Sequence, residues 1–233
     1  MEKFALIVAG GSGTRMGTGI PKQFLDLAGK PVLMRTIERF AAYDNFLKIM
    51  VVLPLSEFGR WNDLCARYCF RQKHTLVEGG ANRFLSVKNG LSGLSGKGLV
   101  FIHDGVRPLV SLQTITNCEK VAMEKGNALP VMPLSESLRR VENDFSKCAE
   151  RSKFRLVQTP QTFRVDLIKE AYESVTDESF TDDASVLEAC GGTINLVEGN
   201  AENVKITRPL DLFIADCLFR YTSKSSSQNL QKD

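Results

Sequence analysis

A chain of 233 residues, 43% hydrophobic and 24% charged, is long enough for one sizeable core and has an ordinary globular balance. Its net charge of +3 comes without a basic block, which speaks against nucleic acid or a membrane surface as partner and points to anionic small molecules. The apolar run after Met1-Glu2-Lys3 is too short for a signal peptide, and no later run could span a bilayer, so a cytoplasmic location is expected.

Strand and helix patterns alternate from the start. Phe4 to Ala9 reads as a strand, Val32 to Tyr43 as a helix with Leu33, Ile37, Phe40 and Ala41 on one face, and Ile49 to Leu53 as a strand. Ser56 to Phe70 brings Trp61, Leu64, Cys65, Tyr68 and Cys69 to one face, which makes Trp61 a core residue; Thr75 to Val77 is a short strand and Asn82 to Leu94 a helix. A strand at Leu99 to Ile102, a helix capped by Ser111 and running to Lys125, and a strand at Ala128 to Met132 follow. This rhythm predicts a Rossmann-like α/β fold, a mostly parallel sheet flanked by helices with right-handed crossovers.

The rhythm breaks between Pro133 and Gln161. There Ser137 to Val141 and Phe154 to Gln158 flank the polar Glu142-Asn143-Asp144, predicting a projecting hairpin arm over about residues 134–160. Helices are expected at Val165 to Val175 and Asp182 to Ala189, strands at Thr193 to Val197 and Val204 to Thr207, and a last helix after Pro209. Residues 1–222 then make one domain, and the Ser, Lys and Gln-rich 223–233 reads as a disordered tail. The cysteines at 65, 69, 118, 148, 190 and 217 contain no C-x-x-C pair, and two histidines complete no zinc set; reduced thiols, mostly at apolar helical positions, are expected.

Chemistry concentrates in loops that follow strands, where open parallel sheets bind ligands. The stretch from Ala9 to Phe24 reads A-G-G-S-G-T-R-M-G-T-G-I-P-K-Q-F. Gly10, Gly11 and Gly13 leave backbone N–H groups free to close around a polyphosphate, while Arg15 adds a planar fork and Lys22 a point charge. A Walker loop needs Gly-Lys-Ser/Thr, absent here, and Gly11-x-Gly13 followed by Met16 fails the dinucleotide spacing, which weakens an NAD-dependent oxidoreductase reading. A second loop, Glu78 to Val87, exposes Gly79 and Gly80 and offers the Ser86 hydroxyl, suited to the edge of a pyrimidine; an ordinary turn capped by Asn82 explains it equally well. Asp104 ends a buried strand, the place for a divalent-cation ligand in an α/β nucleotide site, with a salt bridge to Arg107 as the simpler alternative. His103 reads as structural.

Taken together these segments, with Thr159-Pro160-Gln161, Thr181-Asp182-Asp183-Ala184-Ser185 and Asn203-Val204-Lys205-Ile206-Thr207, resemble in order the motifs of the IspD family of nucleotidyltransferases, cytidylyltransferases of the non-mevalonate isoprenoid route. The resemblance implies a GT-A-like fold with a projecting β-arm, and transfer of CMP from CTP to a polyol phosphate, 2-C-methyl-D-erythritol 4-phosphate, with release of pyrophosphate. It implies Mg²⁺ or another divalent cation as cofactor, held by Asp104. Ala9, Gly10, Gly11, Gly13, Thr14, Arg15 and Lys22 would grip the triphosphate, Gly79, Gly80, Arg83 and Ser86 the cytosine, and Lys205 the α-phosphate. On the acceptor side it implies Arg107, Ser137, Arg151, Thr159 and Thr181, with Glu202 helping to hold metal, in a homodimer whose arm crosses to the other subunit. Ala81 stands where some relatives carry an acid, and Gly105-Val106 where Ala-Ala is usual. Ribitol 5-phosphate as acceptor, and a non-catalytic nucleotide-binding module, are the alternatives; Arg107 and Arg151 argue against the second.

Overall fold

The computed structural model describes residues 1–11 and 19–229; the expectations for Gly13, Thr14 and Arg15 fall outside them. The first strand, β1 (Lys3–Val8), is buried along Phe4 to Ile7, as a central strand covered on both faces requires. A short antiparallel pair, β2 (Asp26–Leu27) and β3 (Lys30–Pro31), leads into α1 (Val32–Tyr43), which buries Leu33, Ile37 and Phe40 as its 3.6-residue spacing dictates. Then come β4 (Lys48–Leu53), α2 (Phe58–Arg67), β5 (Thr75–Glu78), α3 (Arg83–Ser92), β6 (Leu99–Asp104) and α4 (Leu112–Lys125). Asn82 Oδ1 and Ser111 Oγ cap α3 and α4 by accepting the N–H groups of Leu85 and Thr114. Gly126 closes α4 at φ 89°, a left-handed conformation that glycine adopts without cost.

β1 runs parallel to β4 and β6, and β4 parallel to β5. Beyond β6 the sheet holds a strand that periodicity did not announce: β11 (Gln161–Arg164) lies antiparallel between β6 and β7 (Asn127–Pro133). Four residues are too few for an alternation to register, and Gln161, Thr162 and Phe163 are all buried. The sheet is therefore mostly parallel, with β12 (Leu196–Glu198) pairing with β7. Leu6, Val87, Ile102 and Tyr172 fill one face, and Ile7, Leu33, Phe101 and the fully buried Trp61 the other. The remaining helices are α5 (Val165–Ser174), α6 (Asp183–Ala189) and α7 (Pro209–Asn229).

Four expectations need correction. The arm's first strand, β8 (Leu138–Glu142), pairs with β9 (Phe145–Ala149) rather than with Phe154 to Gln158. The turn is tighter than expected, two residues with Asn143 at φ 51°, a conformation asparagine tolerates, and the later stretch becomes β10 (Arg155–Val157) on the edge of β7. Residues 204–207 form no strand; one bond, from the Ile206 N–H to the Val106 carbonyl, joins them to the loop after β6. The last helix continues to Asn229, past Ser223 where disorder was expected, because a Ser, Lys and Gln-rich run free of Pro and Gly extends a helix already nucleated. Cys118 is buried, but Cys69, Cys148, Cys190 and Cys217 are exposed, all as free thiols. Among the described residues no helix is long and apolar enough to cross a membrane.

Candidate functional site

β1, β5 and β6 are parallel or share a parallel neighbour, so their following loops converge at one edge of the sheet. They enclose a cleft of about 400 Å³ lined by Ala9, Gly10 and Gly11 after β1, Gly80 to Arg83 after β5, and Asp104 at the end of β6, with Lys22, Ser86 and Lys205. Parallel pairing thus gathers residues from four separated motifs.

Ser86 closes the second glycine loop on itself. Its hydroxyl accepts the Gly80 N–H at 3.1 Å and donates to the Asn82 carbonyl at 2.7 Å, so Ser86 holds its own loop closed. A Cβ on Gly80 would come within 2.3 Å of Leu85 Cβ, so glycine is required there by contact, while one on Gly79 would sit a tight 3.2 Å from the Ser86 oxygen. On the other side Gln23 Nε2 donates to the Ala9 carbonyl at 2.9 Å, anchoring the first loop beside Lys22.

Asp104 is the electrostatic centre. Its Oδ2 lies 3.1 Å from both Arg107 Nε and Lys205 Nζ, and its Oδ1 3.9 Å from Arg83 Nε. Burial works against the charged form, but Lys205, Arg83 and Arg107 outweigh it and hold the carboxyl well below the usual carboxylate range. Beneath it Thr159 Oγ1 accepts the Asp104 N–H at 3.1 Å and donates to His103 Nδ1 at 2.9 Å, while His103 Nε2 donates to the Arg107 carbonyl at 3.0 Å. Burial pushes the His103 imidazole down to about 4, so it stays neutral and structural. One anion among three cations is an arrangement able to accept a highly charged anion once the cations release Asp104.

Several acceptor-side expectations are placed elsewhere. Thr159 is buried under Asp104 and spends its hydroxyl there. Arg107 turns away from the cleft, donating through Nη1 to the Asn203 carbonyl at 2.8 Å, which ties the loop carrying Lys205 to the end of β6. Glu202 accepts from Asn200 Nδ2 at 3.1 Å and does not line the cleft, so it does not join Asp104 as a ligand pair. Thr181 is exposed beyond the cleft wall. Ser137 and Arg151 stand exposed on the arm, where Arg151 Nη1 donates to the Ser135 carbonyl. Gln23, Val106 and Asp183 were assigned no role from sequence; the P-K-Q and T-D-D motifs contained two of them, but their contacts are long-range.

Comparison with known proteins gives one answer. Residues 4–221 match the family model described as "IspD: 2-C-methyl-D-erythritol 4-phosphate cytidylyltransferase". The chain is 50% identical over 218 residues to the 2-C-methyl-D-erythritol 4-phosphate cytidylyltransferase of Phocaeicola vulgatus, covering 94% of this chain and 100% of that one. It is 49% identical to the enzyme of the same name from Bacteroides fragilis, with the same coverage. The crystal structure of the Thermus thermophilus enzyme of that name superposes with a TM-score of 0.79 at 33% identity, covering 94% of this chain and 100% of that chain.

Proposed function

Because the chain belongs to the IspD family of 2-C-methyl-D-erythritol 4-phosphate cytidylyltransferases, we propose that it transfers CMP from CTP to 2-C-methyl-D-erythritol 4-phosphate. The observation that carries this reading is the convergence of Lys22, Arg83, Asp104 and Lys205 on one cleft walled by two glycine loops. An acceptor phosphate oxygen attacks the α-phosphorus in line; that P–O bond forms as the bond to the bridging oxygen breaks, and pyrophosphate leaves with the electron pair. No covalent nucleophile is required, so the protein's contribution is positioning and charge neutralisation. Lys22 steadies the leaving phosphates together with Arg15, and Lys205, 3.1 Å from Asp104, meets the charge that grows at the α-phosphate.

The residues present fit a divalent cation supplied with its nucleotide. Among the described residues, Asp104 Oδ2 takes both close cations while Oδ1 has none nearer than Arg83 at 3.9 Å. No group of three or more His, Cys, Asp or Glu gathers among the described residues, so phosphate oxygens and water would complete the shell, as is usual for Mg²⁺. The ion would supply neutralisation of the triphosphate charge.

The arm supports a homodimer. β8 and β9 pair with each other, and Val141 and Phe145 are 72% and 78% exposed, an apolar surface that a second copy would cover. In that dimer Ser137 and Arg151 serve the neighbour's acceptor phosphate.

Pyrophosphate release tests the assignment. At saturating CTP, kcat/KM for 2-C-methyl-D-erythritol 4-phosphate should exceed that for ribitol 5-phosphate by at least about tenfold, the lower range of what one methyl group is worth in a fitted pocket. Equal or reversed values would overturn the acceptor; CTP binding without turnover on either would leave a nucleotide-binding module.

A further inference from the structure

Arg83 is oriented from outside the cleft it lines. Its Nη1 and Nη2 donate to Asp183 Oδ1 and Oδ2 at 2.8 and 2.6 Å, the two-bond pairing that fixes a guanidinium plane most firmly. Asp183 is fully buried, and Tyr172 Oη donates to its Oδ1 at 2.7 Å. The backbone of Asp183 is also held: Gln161 Oε1 accepts the N–H groups of Asp183 and Ala184, each at 2.8 Å, and Gln161 Nε2 donates to Asp182 Oδ2 at 3.0 Å. Gln161 belongs to β11, which pairs directly with β6. The strand that ends in Asp104 therefore also indexes the carboxylate that holds Arg83, while Arg83 Nε stays 3.9 Å from Asp104 Oδ1.

We infer that Asp183, braced by Gln161 and Tyr172, is a positioning residue of the nucleotide cleft that keeps Arg83 facing the nucleotide and no closer to Asp104 than 3.9 Å. With its side chain only 22% exposed, the guanidinium is largely out of water and is stabilised by a counter-ion. Deprived of Asp183, Arg83 closes on the nearest remaining carboxylate, Asp104, and nucleotide must then displace it. Lys205 and Arg107 already occupy Asp104 Oδ2, so the oxygen that Asp183 protects is Oδ1. The role rests on the nucleotide reading of the cleft.

The test is a double-substitution cycle read by calorimetric titration of the full-length chain with CTP and Mg²⁺, without acceptor, alongside thermal unfolding. Asp183→Asn should weaken CTP binding about tenfold, and Tyr172→Phe about threefold. In the Arg83→Gln background neither change should weaken CTP by more than about twofold, because the group they position is gone. Equal losses in both backgrounds, or a lower melting temperature with CTP affinity intact, would reduce Asp183 to a packing role. If Asp183→Asn does not fold, Tyr172→Phe decides alone: it keeps the ring stacked on Phe84 at 4.7 Å and removes only the hydroxyl. A wild-type chain that takes up no CTP would sink the nucleotide reading and this role with it; CTP uptake with additive losses would sink this role alone.

Discussion

Lys205 Nζ meets Asp104 Oδ2 at 3.1 Å, joining the loop before the last helix to the C-terminal end of a central strand. The Lys205 side chain is 41% exposed whereas that of Asp104 is 9% exposed, so the lysine is the partner free to move toward an incoming phosphate. Replacing it costs little packing. Lys205→Met should lower kcat for pyrophosphate release by about 10²- to 10³-fold, the range for losing one donor to transition-state charge, with an unchanged far-UV circular dichroism spectrum. A rate within about threefold of wild type would remove Lys205 from the chemistry.

Acid should destabilise the protein through His103 before it reaches Asp104. The imidazole is neutral when folded, pushed down from 6.5 to about 4 chiefly by burial. Between those values the unfolded chain binds a proton that the folded chain refuses. The contribution is therefore fully present above about pH 6.5 and is lost as pH falls toward 4, on the order of 3 kcal/mol in all. The Asp104 contribution has the depressed-carboxylate sign: present above the ordinary Asp range and lost only as pH falls below it. Urea unfolding of wild type and His103→Gln between pH 7 and 4.5 checks this; parallel curves for the two proteins would contradict it.

Gly105 directly follows Asp104 at the end of β6. Here an added Cβ would sit 2.8 Å from Ala9 Cβ and 3.1 Å from Leu33 Cδ1. Ala9 lines the cleft, so the clash is relieved by moving the first glycine loop. Gly105→Ala should destabilise by about 1 to 3 kcal/mol, the cost of overpacking, and raise KM for CTP more than it lowers kcat. Thermal unfolding and steady-state kinetics would show the split. A variant as stable as wild type with an unaltered KM would mean that this strand end tolerates the extra carbon.

If the arm completes a neighbour's acceptor site, an inactive Arg151→Ala chain and an inactive Lys22→Ala chain should rescue each other. A mixed dimer regains one site built from intact parts, so pyrophosphate release should recover to about a quarter of wild type after subunit exchange. Sedimentation of differently tagged chains verifies exchange. No recovery when exchange is demonstrated would confine each site to one subunit.

What could be read from sequence was local. The bounds of α1, Val32 and Tyr43, followed from apolar spacing, and the caps at Asn82 and Ser111 from residue type, because a helix and its cap are specified within one or two turns. The glycine loops and Asp104 were legible for a related reason: each lies at the end of a strand recognisable by itself. Tertiary structure decided what depends on a choice between distant partners. Phe145 to Ala149 pairs with β8 because a two-residue turn closes it at once, and Arg155 to Val157 pairs with β7 instead. Thr159 passes under Asp104, Arg107 turns to Asn203, and Asp183 passes inward to Arg83. Nothing in the neighbouring residues distinguishes these side chains from exposed polar groups. Their directions are set by which strand β11 inserts beside, and that insertion is settled by burial across the whole sheet rather than by any local preference.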